Sequence, residues 1–325
     1  MRILIVKLSS LGDLFHALPA VHMLREAYPD ATIDWVTHGA YQKLVSCFTD
    51  VDNTIAYPRH TFLRDANHFV RELRKHRYDL IVDLQGLFKS ALVARLAKGK
   101  KRIGPSFCRE GSRFMYNKVA GPANLERHAV DQILDVIDHL GTKRTKPVFP
   151  VAFPPQPQTT TTPHIVIAPA SRWPSKNWPP ERFAAAARQL QREWHATISL
   201  IGAPGEETIC ETVSKALEEP RQNYAGKTNL LEMGSILASA DILIANDSGP
   251  VHMAAAVGTP TVVIFGPTNP VRIGPYGTGH QILLPPTPCD CNRQRVCRHP
   301  DSACIKQITV EAVVQAANSL LSTKS

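Results

Sequence analysis

The sequence has few aromatic residues and no long apolar run. Phe, Trp and Tyr make up 7% of the 325 residues and are not interleaved with basic residues, so we predict no nucleic-acid partner. No apolar stretch approaches the length of a membrane span. Met1 and Arg2 lead directly into the strand I-L-I-V-K at residues 3–7 instead of a signal peptide. We therefore expect a cytoplasmic protein whose seven cysteines are thiols or metal ligands.

The first loop also lacks the glycine signatures of common nucleotide-binding folds. Residues 9–12, which follow the first apolar run, contain neither G-x-G-x-x-G nor G-K-[ST]. The first motif brings a backbone close to a dinucleotide, and the second holds the phosphates of an NTP. Their absence from this loop argues against an NAD-dependent enzyme and against an NTPase.

Acidic residues are scarce in the first half of the chain. Residues 1–150 contain 23 Lys and Arg against 15 Asp and Glu, whereas residues 151–325 contain 14 against 13. A basic half beside a neutral half indicates an anionic partner, such as an anionic lipid or a phosphorylated sugar. A solubilising surface gives the same count and is the alternative.

Residues 241–268 contain the pattern around which the chain is organised. The apolar run 241–245 is typical of a strand buried on both faces, Pro250 opens a helix that reaches about residue 256, and residues 261–265 form the next strand. The N–H groups and the dipole of such a helix start favour an anion such as a diphosphate. The alternative is that Asp247 or Ser248 only caps the helix.

The first half begins with the same arrangement. A strand at 3–7, a loop at 8–13 and a helix ending near 28 are followed by a strand at 32–37. Asp13 therefore lies at the carboxyl end of a strand, where open α/β sheets bind their ligands. It can serve as a general base, or it can cap its helix.

Four basic residues of the first half lie in segments that we predict to be irregular, namely Arg59, Arg64, Arg109 and Lys118. Loops carry binding sites more often than helix faces do. Arginine and lysine also form strong charge-assisted hydrogen bonds to carboxylates and phosphates. These residues are our candidates for holding anionic groups.

Residues 143–163 are rich in proline and threonine, with five prolines between 147 and 157. No helix runs through such a segment, so we predict an extended linker between domains at 1–142 and 164–325. Two open α/β domains joined in this way leave a cleft between them, which is a usual ligand location.

The second domain restarts the strand–helix pattern with a strand at 164–168 and a loop at 169–177. Lys176 in this loop can neutralise a leaving phosphate, or it can be a surface lysine. After the next strand, Glu206 and Glu207 offer carboxylates to ribose hydroxyls, or they merely occupy the first turn of a helix.

The C-terminal region contains four cysteines in sixteen residues, Cys289, Cys291, Cys297 and Cys304. Because C-x-C replaces the usual C-x₂-C of zinc sites, free thiols are the default prediction and a structural metal is the alternative. We predict no metal in the functional site.

Together these motifs resemble glycosyltransferase family 9, the ADP-heptose:lipopolysaccharide heptosyltransferases. The resemblance covers nearly the whole chain and includes K-N-W-P after a strand. It is most specific in S-S-L-G-D and in D-S-G-P-V-H-M-A-A-A-V-G-T-P-T-V-V-I-F-G-P-T. It implies the GT-B fold, an α/β architecture of two Rossmann-like domains that face each other across a cleft. The first domain would bind the acceptor and the second the nucleotide sugar, and the C-terminal helix would be able to pack back on the first domain.

The resemblance also assigns roles to residues. Asp13 matches the catalytic base, and Lys176 matches the lysine at the donor phosphates. The predicted donor-binding residues are Ser171, Lys176, Glu207, Asp247, Ser248, Gly249 and His252. The predicted acceptor-binding residues are Ser10, Gly12, Arg59, Arg64, Arg109 and Lys118.

The implied reaction is an inverting transfer of heptose from ADP-heptose to the inner core of lipopolysaccharide, without a cofactor or a divalent ion. The implied partners are an ADP-sugar and an anionic, lipid-anchored acceptor, so we expect a protein bound peripherally at the inner face of the inner membrane. The sequence leaves the oligomeric state open, with a monomer as the expectation. The loop before Lys176 departs from the Asp-rich version of the first heptosyltransferase, which leaves the heptose position and the sugar open. The alternatives are a transferase of the same fold that uses another nucleotide sugar, and a non-catalytic sugar-nucleotide-binding protein.

Overall fold

The computed structural model describes residues 1–59, 61–122, 124–142, 144–156, 162–288, 291, 294–299 and 304–323. The chain divides into two compact units, Met1–Ala152 and Phe153–Ser325. The division falls inside the segment 143–163 that we predicted to be a linker. Residues 143 and 157–161 of that segment lie outside the described residues.

The described part of the first unit is built on a parallel six-stranded sheet. Its strands are β1 Arg2–Val6, β2 Thr32–His38, β3 Asn53–Tyr57, β4 Tyr78–Asp83, β5 Gly99–Pro105 and β6 Lys118–Ala120. They lie in the order β3-β2-β1-β4-β5-β6. Its helices are α1 Leu11–His16, α2 Leu18–Ala27, α3 Gln42–Val45, α4 Phe62–Leu73, α5 Phe88–Leu96 and α6 Ala129–Asp138.

A second parallel six-stranded sheet forms the described part of the other unit. Its strands are β7 His164–Ala168, β8 Thr197–Leu200, β9 Arg221–Asn223, β10 Ile242–Asn246, β11 Thr261–Ile264 and β12 Gln281–Leu283. They lie in the order β12-β11-β10-β7-β8-β9. Its helices are α7 Pro180–Trp194, α8 Glu207–Ser214, α9 Leu230–Ala238, α10 Gly249–Ala256, α11 Pro270–Ile273 and α12 Val310–Ser322.

The strand order places one ligand-binding edge in each sheet. The order reverses between β1 and β4 in the first sheet and between β7 and β10 in the second. Open parallel sheets bind ligands beyond the carboxyl ends of the strands at such a reversal. The central strands have mostly apolar interiors because both of their faces are buried, and residues 3–6 of β1 are fully inaccessible to solvent. The predicted α/β class with two Rossmann-like sheets is therefore confirmed.

The C-terminal helix α12 belongs to the second unit. Val313 and Ala317 are buried in the same apolar cluster as Phe183 of α7, and the indole N–H of Trp194 donates to the side-chain oxygen of Asn318 at 2.8 Å. The apolar face of the helix is therefore buried in the core of its own unit. None of the helices in the described ranges combines the length and the apolar character that crossing a membrane requires.

Candidate functional site

Asp13 lies in the first turn of α1, directly beyond the carboxyl end of β1. One oxygen of its carboxylate, Oδ2, accepts the backbone N–H of Ser10 at 2.9 Å and the hydroxyl of Ser10 at 2.7 Å. These bonds satisfy donors that a helix start otherwise leaves unpaired. The side chain is nevertheless 45% exposed. The carboxylate is thus held in one orientation by its helix and remains open to solvent, so capping does not prevent it from acting as a base.

Lys7 is buried beside this carboxylate, and the sequence did not point to it. Its side chain is only 5% exposed, and its Nζ donates to the carbonyl oxygen of Leu84 at 2.9 Å. Burial lowers the pKa of Lys7, and the nearby carboxylates of Asp13 and Asp83 oppose that shift. The available sequence signal was a lysine directly after the apolar run of β1, at the ligand-binding edge.

Asp83, the last residue of β4, is a second charged residue that sequence reasoning missed. Its Oδ1 accepts the N–H groups of Gln85 at 2.7 Å and of Gly86 at 3.1 Å, and its Oδ2 accepts the hydroxyl of Tyr116 at 2.7 Å. Burial raises the pKa of Asp83, and the hydrogen bond from Tyr116 is the strongest opposing influence. The carboxylate fixes the backbone turn that follows β4 and holds Tyr116 against the sheet edge.

A pocket of about 160 Å³ opens at this edge of the first unit. Its lining includes the cations Arg59 and Lys89, the carboxylate of Glu110 and the side chain of Gln85. The side-chain oxygen of Gln85 accepts the N–H of Leu8 at 2.6 Å, which ties the loop after β1 to the turn after β4. A small polar pocket with an excess of positive charge suits an anionic sugar.

Four of the six predicted acceptor-binding residues lie near the ligand-binding edge of the first sheet. Ser10 and Gly12 lie at the start of α1, and Arg59 lines the pocket. Arg109 is exposed in the loop after β5, and its backbone N–H donates to the carbonyl oxygen of Gly86 at 2.8 Å. These four residues therefore lie around the carboxyl ends of β1 to β5.

Arg64 and Lys118 do not lie in irregular segments, so that prediction was wrong for both. Arg64 is in α4, 79% exposed, and pairs with Asp65 at 3.0 Å. Lys118 is the first residue of β6, the edge strand that lies three strands away from β1. The three-residue strand is too short for its pattern to be recognised, and Arg64 lies in the first turn of α4, where the end of a helix is hardest to locate from the sequence.

In the second unit, Lys176 and Asp247 form a buried ion pair. The Nζ of Lys176 lies 2.6 Å from Oδ2 of Asp247, and the two side chains are 12% and 4% exposed. The hydroxyl of Thr268 donates to the same carboxylate oxygen, and the ammonium group lies 4.9 Å from the centre of the Trp173 ring. Lys176 is therefore not a solvated surface lysine. Its charge is positioned at the carboxyl end of β7 by Asp247 and Trp173, and Thr268 holds the carboxylate of Asp247.

The helix start beside this ion pair is suited to an anion. α10 begins at Gly249, one residue before the predicted position, with Ser248 as its N-cap residue and no capping hydrogen bond from that side chain. Among the described residues, the buried hydroxyl of Ser248 has no hydrogen-bond partner. Asp247 does not cap the helix through its paired oxygen, which Lys176 and Thr268 occupy. Pro250 carries no N–H, and the N–H of Val251 donates to the carbonyl oxygen of Ser248 at 3.2 Å. The features that suit an anion here are therefore the uncapped positive end of the helix dipole and the hydroxyl of Ser248. His252, one turn along the helix, is 9% exposed.

Asn246 joins the two loops of this half-site, and sequence reasoning missed it. Its side chain is fully buried at the end of β10, accepts the N–H of Trp178 at 3.0 Å and donates to the carbonyl oxygen of Pro169 at 2.7 Å. The loop after β7 is also closed by the N–H of Ser171, which donates to the side-chain oxygen of Asn177 at 2.8 Å. The segment that contains Lys176 is thereby anchored to β10.

Glu207 is exposed in the first turn of α8, after the neighbouring strand β8. Its Oε2 accepts the N–H of Gly205 at 2.8 Å. Gly226, with a φ of +69°, lies directly against the carboxylate, since a Cβ built there would be 2.4 Å from Oε1. The carboxylate therefore has a defined position and free acceptor capacity.

The cysteine segment packs beside Lys176. The sulfur atoms of Cys291 and Cys297 lie 3.6 Å apart, and the hydroxyl of Ser175 donates to the carbonyl oxygen of Gln294 at 2.6 Å. Cys289 lies outside the described residues. Within the described ranges, no group of three or more His, Cys, Asp or Glu residues is placed to hold a metal ion.

Comparisons with known proteins extend over both units. The family model of glycosyltransferase family 9 (heptosyltransferase) matches residues 66–302. Lipopolysaccharide heptosyltransferase 1 of Escherichia coli strain K12 is 28% identical over 344 residues, which cover 98% of this chain and 100% of that protein. The lipopolysaccharide core heptosyltransferase OpsX of Haemophilus influenzae is 25% identical, over 84% of this chain and 81% of that protein.

Solved structures of heptosyltransferases are also similar to this chain. The E. coli heptosyltransferase WaaC with ADP superposes with a TM-score of 0.82 at 26% identity, covering 98% of this chain and 100% of that chain. A glycosyltransferase family 9 protein from Veillonella parvula superposes with a TM-score of 0.88 at 24% identity, covering 100% and 98%, which bears on the fold alone. The predicted GT-B fold class is confirmed by these matches. Because the family model covers well over half of the sequence, the chain belongs to glycosyltransferase family 9, the heptosyltransferase family.

Proposed function

We propose that this protein transfers heptose from ADP-heptose to the inner core of lipopolysaccharide, with inversion at the anomeric carbon. The observation that carries the proposal is the helix start of α10 with the buried Lys176 beside it, a pair of features suited to a diphosphate. Two solved structures of the similar E. coli enzyme contain ADP or ADP-2-deoxy-2-fluoro heptose. A donor of the same chemistry is the simplest ligand for this half-site.

The second unit would bind the donor. The diphosphate would lie at the positive end of the α10 dipole and accept a hydrogen bond from the hydroxyl of Ser248, and Lys176 would neutralise the charge that develops as ADP departs. The ribose hydroxyls would donate to the carboxylate of Glu207. This positive environment is built from protein groups, so we propose that transfer requires no divalent ion.

The first unit would bind and activate the acceptor. The attacking hydroxyl would lose its proton to Asp13 while its oxygen forms a bond to the anomeric carbon and the bond from that carbon to the diphosphate oxygen breaks. Such a single displacement inverts the configuration at the anomeric carbon. Arg59, Lys89 and Arg109 would hold the anionic groups of the core, and the enzyme would work at the inner face of the inner membrane, where that acceptor is anchored.

A screen of nucleotide sugars against a heptose-deficient core acceptor tests the proposal. We expect ADP release with ADP-heptose that depends on the acceptor and continues at the same rate in EDTA. Faster transfer from another nucleotide sugar would instead favour a same-fold transferase of different donor specificity. ADP binding by calorimetry without turnover of any donor would favour a non-catalytic binding protein. A requirement for magnesium would contradict the metal-independent mechanism.

Substituting Gly226 with alanine should weaken binding of ADP. The new Cβ would collide with Oε1 of Glu207 and displace the carboxylate. Loss of a hydrogen bond to a charged group costs about 1.5–3 kcal/mol, which corresponds to a roughly 10- to 100-fold higher Kd for ADP by calorimetry.

Gly279→Ala is the matched control for this substitution. Gly279 also has a positive φ, of +88°, but a Cβ there would meet no atom within 4 Å. It therefore introduces the same kind of backbone strain, about 1–2 kcal/mol, without touching Glu207. An equal loss of ADP affinity in both variants would show that strain, and not the carboxylate, is responsible.

A further inference from the structure

An aromatic side chain projects into solvent near the pocket of the first unit. Phe114, in the turn between β5 and β6, is 91% exposed, and Phe88 at the start of α5 is 47% exposed. Exposing most of a phenylalanine forgoes about 1.5–3 kcal/mol of burial free energy. Two exposed phenylalanines on neighbouring segments indicate a surface that contacts a membrane or another molecule.

Two side-chain hydroxyls anchor the turn that carries Phe114. The hydroxyl of Ser112 is buried and lies 3.0 Å from the carbonyl oxygen of Gly86 and 2.7 Å from that of Arg109. On the other side of Phe114, the hydroxyl of Tyr116 donates to buried Asp83 at 2.7 Å. The turn is thus attached to the carboxyl edge of the sheet on both sides of Phe114. The folded unit therefore holds the Phe114 side chain in its exposed position.

Exposed basic residues lie close to both phenylalanines along the chain. Arg109 and Arg113 are exposed on the same turn as Phe114, and Lys89 is exposed beside Phe88. The two segments are joined by a hydrogen bond of 3.1 Å from the backbone N–H of Phe88 to the carboxylate of Glu110. In the sequence, Glu110 is the only acidic residue between 98 and 125. We call Phe88, Lys89, Arg109, Arg113 and Phe114 the aromatic-basic patch.

We propose that the aromatic-basic patch docks on an anionic lipid bilayer. The ring of Phe114 enters the boundary between headgroups and acyl chains, and the arginine and lysine side chains contact the headgroup phosphates. This combination of exposed aromatic and cationic residues is characteristic of interfacial membrane binding, and each cation near an anionic surface contributes about 1 kcal/mol. The proposal rests on the proposed function in one respect, because it takes the acceptor to be membrane-anchored.

Docking by this patch also explains its position. Lys89 and Glu110 line the pocket that we propose for the acceptor. A bilayer in contact with the patch therefore lies beside that pocket, where the sugar of a lipid-anchored acceptor leaves the headgroup layer. The lysines at the start of β5, Lys100 and Lys101, lie toward the opposite edge of the parallel sheet and are not part of this surface.

Co-sedimentation with vesicles tests the proposal without any substrate. The full chain should bind vesicles of phosphatidylcholine with one third phosphatidylglycerol and bind pure phosphatidylcholine at least tenfold more weakly. Phe114→Ser should weaken binding to the anionic vesicles roughly 10-fold or more, and Arg113→Gln should weaken it about fivefold. Val271→Ser, a loss of a 65% exposed apolar side chain in the second unit, should have no effect.

Transfer assays separate this proposal from the proposed function. Phe114→Ser should lose activity toward vesicle-embedded acceptor and keep activity toward the same core freed of its acyl chains. Wild-type binding by Phe114→Ser, or equal binding of the wild-type protein to neutral vesicles, would overturn the docking proposal. A different result would be that Phe114→Ser loses activity toward both acceptors while its vesicle binding stays intact. The patch would then contact a protein or the substrate, and the docking proposal would also be overturned. If no nucleotide sugar is turned over but vesicle binding changes as expected, the function fails and the docking surface stands.

Discussion

Asp13→Asn should lower the transfer rate by a factor of about 10² to 10⁴, the usual contribution of a general base. Asparagine retains an oxygen that accepts the N–H of Ser10, so α1 keeps its first turn. What it lacks is the capacity to accept the proton of the acceptor hydroxyl. The rate of ADP release should therefore fall, whereas the Kd for ADP should be unchanged, since the donor is proposed to bind the second unit.

Capping of α1 makes a separate control necessary, because a helix defect also lowers activity. Asp13→Ala removes the hydrogen bonds to Ser10 and should cost about 1 kcal/mol in the free energy of unfolding. Glu232→Ala is the matched control: Glu232 occupies the same position in α9 and accepts the N–H of Asn229 at 2.8 Å. It should show a similar loss of stability with normal turnover. A nearly wild-type rate for Asp13→Asn would remove Asp13 from the chemistry.

Lys176→Met should affect both stability and turnover. Removing one partner of a buried ion pair leaves the other charge uncompensated, which costs about 3–5 kcal/mol. Asp247 would then keep the hydrogen bond from the hydroxyl of Thr268 but not the compensating positive charge. Loss of a group that stabilises transition-state charge lowers kcat by about 10²- to 10³-fold. Chemical denaturation and initial-rate kinetics on the same preparation measure the two effects.

The double variant Lys176→Met with Asp247→Asn separates these two roles. It removes the uncompensated carboxylate, so the free energy of unfolding should recover by several kcal/mol relative to the single variant. The rate should stay low, because neither side chain supplies positive charge to the departing diphosphate. A rate that recovers together with stability would show that Lys176 acts only in folding.

Much of the fold could be predicted because strands and helices are encoded locally. The apolar runs that became β1, β7 and β10 are uninterrupted, as strands covered on both faces require, and their predicted bounds agree with the structure to within one residue. The chemistry-bearing residues Asp13 and Lys176 could be named because they follow such runs directly. Short elements and the ends of elements could not be predicted in this way. β6 has only three residues, and the segment around Arg64, which we expected to be irregular, is helical.

The sequence by itself determined the class of the fold, the ligand-binding edge of each sheet and some of the residues that lie there, such as Asp13 and Lys176, because periodicity and strand ends depend only on near neighbours. The tertiary structure alone decided how these residues are paired. Lys176 meets Asp247 across 71 residues of sequence, Lys7 is buried against the turn 77 residues away, and Ser112 holds the turn of Phe114 on Gly86. Such contacts arise where parallel strands bring distant loops to one edge, and no local pattern encodes which loops will meet.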